Sequence, residues 1–204
     1  MRITKANAAE NKARVLDEAG RLFRARGFES TGVADVMHAA GLTHGGFYNH
    51  FKSKDDLEAQ ACARIFEAAV ARVANVADAP PAERLPRLLD YVRSYLSTRA
   101  RDADGARCPM VAFGADVSRQ SANVQAAYAE GLARYLEALA RAIAQTRDAE
   151  PTIAPFLAID MLTRLVGALT LARSVAKSDP TLSNQILART LEQVMEEAKA
   201  HAPL

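Results

Sequence analysis

Tryptophan is absent from the 204 residues, and aromatic side chains make up only 6% of them. β-branched and aromatic residues never gather into the alternating runs that a half-buried strand requires, which excludes a β-rich fold. The chain holds only two cysteines, Cys62 and Cys108, with no CxxC pair and no histidine at ligand spacing. Neither a disulfide framework nor a metal site is expected, and a reducing compartment suits such a chain. His38, His44 and His50 are spaced six apart, on different sides of their helices and across a turn, which argues against a shared ion. The N-terminus is polar and charged, unlike a signal peptide, and the longest apolar stretches, such as 165–172, fall short of a membrane span. The expectation is a cytoplasmic protein without membrane segment, metal or cofactor.

Half of the residues are apolar, enough to build a sizeable core and to exclude global disorder. Alanine and leucine dominate that half, and both lose little side-chain freedom in a helix. The fold class expected is all-α. Net charge is only +2, but it is unevenly spread. Residues 1–54 carry 9 Lys/Arg against 5 Asp/Glu, and residues 55–204 carry 17 against 19. A basic head on a near-neutral body suits a polyanion-binding module; a solvated helix face predicts much the same.

Val15, Leu16, Ala19, Leu22 and Phe23 follow the spacing of one buried face over residues 8–26, and Gly27 supplies the stop. Ser30 or Thr31 is placed to cap a short helix carrying Val33, Val36, Met37 and Ala40, ended by Gly41. Thr43 is placed to cap a second short helix over 44–51, and Ser53 a long one reaching residue 77. After Pro80-Pro81, helices are expected over 82–101, 108–119, 121–147, 153–177 and 180–200. Pro109 and Pro180 fit first turns, whereas Pro86 and Pro155 mark a late start or a kink.

Two short helices joined by a glycine turn, between a stabilising helix and a long one, spell a helix-turn-helix head. In the second short helix Phe47 and Phe51 point to the core, leaving Tyr48, Asn49 and His50 outside. A helix this short needs its neighbours to hold it, and the major groove of DNA accepts such an element. His44 and Asn49 can bond base edges or phosphates, and Gly45 and Gly46 allow close approach. Tyr48, His50, Lys52 and Lys54 can reach phosphate oxygens, and Thr31 and Thr43 can join helix N-termini in holding them.

The run from Gly41 through Phe47-Tyr48-Asn49-His50-Phe51-Lys52-Ser53-Lys54 to Leu57 resembles the turn and recognition helix of the TetR family of bacterial repressors. Ala19, Leu22, Phe23, Gly27, Phe28 and Thr31 fit that family's first helix and its exit. The resemblance covers residues 10–60, and Gly46 departs from the Ser, Thr or Ala that many members carry there. It implies a DNA-binding head, residues 1–54, and an effector-binding and dimerisation body, residues 55–204. The implied partners are double-stranded operator DNA, a small-molecule effector and a second copy of the chain.

The body resembles multidrug- and electrophile-sensing members more loosely, through Arg107-Cys108-Pro109-Met110 and the segment Leu165 to Arg173. By that resemblance the last two helices form the dimer interface, with Leu162, Leu165, Leu169, Leu187, Leu191 and Val194 as candidates; intrachain core explains the same residues equally well. Tyr91, Tyr95 and Tyr128, with Arg119, Asn123 and Asp160, are candidates to line a cavity, and Cys108, Met110 and Phe113 neighbour them in sequence. Ordinary surface positions account for the polar ones as well. Cys108 lies at a helix start beside Arg107, a setting that lowers a thiol pKa and suits a sensor; buried packing is the plainer reading. The rival functions are an all-α carrier, a cysteine-dependent enzyme, or a pure protein-interaction module, which leaves the polar face of 44–51 unexplained. The body offers Cys108 only His201 as a base, so an enzyme is not expected.

Overall fold

In the computed structural model, residues 5–147 and 152–200 are described. Helices α1 (Lys5–Arg26), α2 (Val33–Ala39) and the start of α3 (Lys54–Ala77) enclose the head, with a short 3-10 helix, His44–Asn49, between α2 and α3. The body continues through α4 (Pro81–Tyr95), α5 (Thr98–Asp102), α6 (Pro109–Phe113), a 3-10 turn at Val117–Arg119, α7 (Ala122–Arg147), α8 (Ala154–Val175) and α9 (Pro180–Ala200).

The head closes on a core of Val15, Ala19, Phe23, Val36, Met37 and Phe47, all buried. Gly27 (φ 83°) and Gly41 (φ 69°) end α1 and α2 in the left-handed region, where a side chain would be strained. Ser53 caps α3 by accepting from the Asp56 N–H at 3.1 Å. The cap of α2 differs from expectation: it is Gly32, whose N–H donates to the Asp35 carboxylate at 3.2 Å. Thr31 instead turns its hydroxyl back onto the Gly27 carbonyl, 2.9 Å away.

α3 is shared between head and body, and it runs beside α7 in the same direction. Asp55 at its start bonds Ser121 and Asn123, Phe66 meets Tyr128 edge-on, and Asp78 at its end faces Arg141. The seam closes at Gly131, where an added Cβ would fall 2.3 Å from Phe66 Cγ. α8 and α9 form an antiparallel hairpin, tied by Arg164 to Glu197 and by the Ser183 hydroxyl to the Ala172 carbonyl.

Two expected helices are broken. The one over 82–101 stops at Leu96, because Ser97 accepts from the Ala100 N–H and starts α5 afresh. The one over 108–119 runs only to Phe113 and gives way to a turn at Gly114. Pro86 sits inside α4, where it forfeits one ladder bond, and Pro155 lies in the first turn of α8.

By length and composition alone, the 22 residues of α8 would suffice to cross a membrane, a test that the core helix of a soluble protein also passes. The charges of α8 interrupt the run: Arg164 pairs with Glu197, and Arg173 donates to the carbonyls of Ala100, Arg101 and Ala103. Eight of its residues are buried, including Leu162, Leu165 and Leu169, so one face belongs to the protein core.

The α3–α7 seam is directly testable. Gly131→Ala overpacks it and is expected to destabilise the fold by about 1–3 kcal/mol. A lower urea midpoint would register this, and an unchanged midpoint would count against the tight seam.

Candidate nucleic-acid interface and adjoining cavity

The segment His44–Asn49 is wound as a 3-10 helix rather than an α-helix, and it ends two residues earlier than expected. Gly46 N–H donates to the Thr43 carbonyl and His50 N–H to that of Phe47, the i to i+3 pattern. Two successive glycines weaken helical winding here, and the turn is held instead by its aromatic anchors. The Phe47 and Phe51 rings stack at 5.5 Å, with the Lys12 ammonium 5.4 Å from the Phe51 ring centre.

With these anchors inward, the opposite side faces solvent. Tyr48 is 73% exposed and its ring stands edge-on to Phe47. Thr43, His44, Gly45, Asn49 and Lys52 are exposed, and Gly46, His50 and Lys54 are half-buried. A Cβ at Gly45 would meet nothing within 4 Å. Thr43 holds the N-cap position, but its hydroxyl makes no capping bond. Lys54 is partly engaged within the protein, donating to the Phe28 carbonyl at 3.0 Å and facing Glu58 at 3.3 Å. Thr31 does not belong on this surface: it is fully buried and its hydroxyl is spent on Gly27. Its hydroxyl suited an exposed cap in the sequence, but here that group bonds the Gly27 carbonyl and the side chain lies in the core.

Behind the head lies a cavity of about 430 Å³ between α3, α4, α7, α8 and the 103–109 loop. Of the residues expected there, Tyr91, Tyr95 and Cys108 line it. Met110 and Phe113 are core residues, and the Phe113 ring packs on Phe28 at 4.7 Å. Tyr128 is taken by Phe66 across the seam, Asn123 by Asp55 and Arg119 by Asp116, while Asp160 is exposed on α8. The sequence reading missed Arg24, Arg72, Arg99, Arg107 and Tyr135, all in the lining. These are distant in sequence, and no periodicity assembles them.

The inner end of the cavity carries no charge at neutral pH. Tyr91 and Tyr135 share a hydrogen bond between their hydroxyls, and the Tyr95 hydroxyl donates to Cys108 Sγ at 2.8 Å. Burial pushes all three phenols up from their ordinary range. Burial also pushes the Cys108 thiol up, outweighing the Tyr95 hydroxyl, the Val111 and Met110 N–H groups and the Arg72 charge. Cys108 is buried, in line with the plainer reading of a packing residue rather than with an activated thiol.

The dimer-interface candidates are likewise corrected. Leu162, Leu165, Leus at 169 and 187, and Val194 are buried inside the single chain, and Leu191 is half-buried against the same core. The outer face of this hairpin carries other residues: Phe156, Ile159, Leu171 and Leu182 are exposed.

A short element displayed by buried aromatics behind a glycine turn, on an all-α body, defines a helix-turn-helix protein. Residues 15–61 match the family described as bacterial regulatory proteins, tetR family. The match is confined to the head, residues 15–61. The HTH-type transcriptional regulator AcrR of Shigella flexneri is 46% identical over 56 residues, which are 28% of this chain and 26% of that protein. The chain thus spans about a quarter of the length of that curated relative. Over the whole chain the likeness is one of fold. The reduced form of NemR from E. coli superposes with a TM-score of 0.75 at 21% identity, covering 92% of this chain and 97% of its own. A TetR transcriptional regulator from Legionella pneumophila gives 0.71 at 17% identity, with both chains covered completely.

The buried thiol makes a kinetic prediction. At neutral pH Cys108 should react with iodoacetamide far more slowly than glutathione does, and reach the free-thiol rate only in denaturant. Alkylation of the native protein at the glutathione rate would contradict the burial.

Proposed function

We propose that this protein is a homodimeric transcriptional regulator, a repressor that works in the cytoplasm and releases its operator on binding a small molecule. The observation that carries the reading is the outward face of His44–Asn49, with Tyr48, Asn49 and His44 set on an anchored turn. On this reading residues 1–54 grip DNA and 55–204 sense and dimerise. His44, Gly45, Gly46 and Asn49 enter the major groove, while Thr43, Tyr48, His50, Lys52 and Lys54 hold the backbone beside it. The match of residues 15–61 to the TetR head supports the assignment.

Dimerisation follows from α8 and α9. Phe156, Ile159 and Leu171 share one exposed face of α8, and Leu182 extends it from α9. A Cβ at Gly167, on the same side, would meet nothing within 4 Å, so a second copy can approach closely there. Two heads then meet two half-sites on one face of the duplex, spaced about 34–36 Å or a multiple. Effector binding lowers operator affinity by favouring a head spacing that fits only one half-site, through its differential affinity for the two states.

A salt titration on duplexes selected from a random pool tests the DNA reading. Log affinity should fall against log salt with a slope of about −0.9 per phosphate contacted, whereas a carrier or enzyme gives a flat response. Tyr48→Ala should weaken duplex binding by about tenfold, the size of one hydrogen bond to a charged group, with the dimer intact. Normal binding by this variant would remove Tyr48 from the interface. Phe156→Glu combined with Leu171→Glu should sediment as a monomer that stays folded; a persistent dimer would place the interface elsewhere.

A further inference from the structure

We propose that the body cavity takes an organic anion, an amphipathic acid whose oxyanion group is gripped by Arg24, Arg72 and Arg107. Its apolar part would lie against Tyr91, Tyr95 and Leu169. The proposal rests on reading the body as the effector-sensing part and names the class of effector.

The distribution of arginine partners points to this. Arg21, Arg64, Arg87, Arg93 and Arg101 each face a carboxylate, as do Arg119, Arg134, Arg141, Arg164 and Arg189. Among the described residues, Arg14, Arg26, Arg84 and Arg173 face no carboxylate, and three of them donate to backbone carbonyls instead; the other four without an ion pair, Arg24, Arg72, Arg99 and Arg107, all stand in the cavity wall. Asp104 is the one acidic residue among those lining the cavity. Four guanidinium groups thus share one opening with a single carboxylate, and they are held there at a cost. Arg24 is half-buried, and burial lowers its pKa first, followed by the charges of Arg72, Arg107 and Arg21. A carboxylate or sulfonate placed between these guanidinium groups offsets their mutual repulsion and accepts paired N–H bonds. Deeper in, the wall changes to phenol rings and Leu169, with hydroxyls already bonded to one another or to Cys108. That gradient, cationic at the mouth and aromatic at the floor, fits an acid with an apolar tail.

The same arginines join the cavity to the head. Arg24 lies in the last turns of α1, a head helix, whereas Arg72 belongs to α3 and Arg107 to the loop before α6. Arg72 already donates to the Arg107 carbonyl, at 3.4 Å. Gly105 of that loop lies against the end of α1, so close that a Cβ would come within 3.0 Å of the Arg24 carbonyl carbon. An anion shared by these three residues draws α1, α3 and the loop together, which is a direct route from ligand to head position.

The probes are anilinonaphthalene sulfonate and its uncharged analogue N-phenyl-naphthylamine, which share the aromatic body and differ in the sulfonate. With the full chain, the sulfonate dye should bind one site per protomer about tenfold or more tighter than the neutral one. Arg72→Gln and Arg107→Gln, both at exposed positions, should each erase that preference while keeping the parent's thermal unfolding. Arg134→Gln, outside the cavity, should leave it intact. In the parent the sulfonate dye should also weaken duplex binding, and in Arg24→Gln it should no longer do so. Equal affinity for both dyes, absence of a stoichiometric site, or a preference that survives both arginine variants would overturn the proposal. Dye discrimination is read without DNA, and duplex binding without dye. Loss of the first alone removes the anion assignment; loss of the second alone removes the regulator reading.

Discussion

The seam between α3 and α7 is the contact on which the other relations in this chain depend. Phe66 occupies the space that a side chain at Gly131 would need, so the two helices meet with no tolerance for a methyl group. Because α3 begins as a wall of the head, with Leu57, Ala61 and Cys62 fully buried, this contact also fixes the head on the body. Smaller contacts brace it: the Phe28 and Phe113 rings, and Asp55 with Ser121 and Asn123. Dense cores move as packed units rather than deforming continuously, so on the proposed reading these contacts are the route from cavity to head.

The displayed element shows how a weak helix is made useful. His44–Asn49 has two glycines in six residues and would not hold its shape in isolation. Phe47 and Phe51 fix it by burial, and Lys12 from α1 lies over the second ring. Rigidity on the outer side is therefore borrowed from the inner one. The exposed polar atoms are arranged before any partner arrives, which lowers the ordering entropy of binding.

In the cavity, burial and charge act in opposite senses at the two ends. At the inner end desolvation keeps Tyr91, Tyr95, Tyr135 and Cys108 protonated, and their hydrogen bonds are satisfied among themselves. At the mouth the guanidinium groups stay charged, because arginine ionises under nearly any burial. The thiol's proximity to a helix start and to Arg72 does not decide its state, because desolvation is the largest influence on it.

What the sequence determined by itself was local. Apolar spacing, capping residues and the two left-handed glycines gave α3 and α9 nearly to the residue and the order of elements in the head, because those signals act within one or two turns of chain. The signature from Gly41 to Leu57 identified the displayed element, since Phe47 and Phe51 must point inward for the head to close. Tertiary structure alone decided which apolar leucines were core and which faced out. Leu165 and Leu171 read alike in a string, and only the docking of α8 on α7 and α9 buries the first and exposes the second. It also decided the fate of Thr31, and it gathered Arg24, Arg72 and Arg107 from three separate elements into one wall. A site formed by residues far apart in the chain leaves no periodic trace, because the distances that define it exist only after the helices have packed.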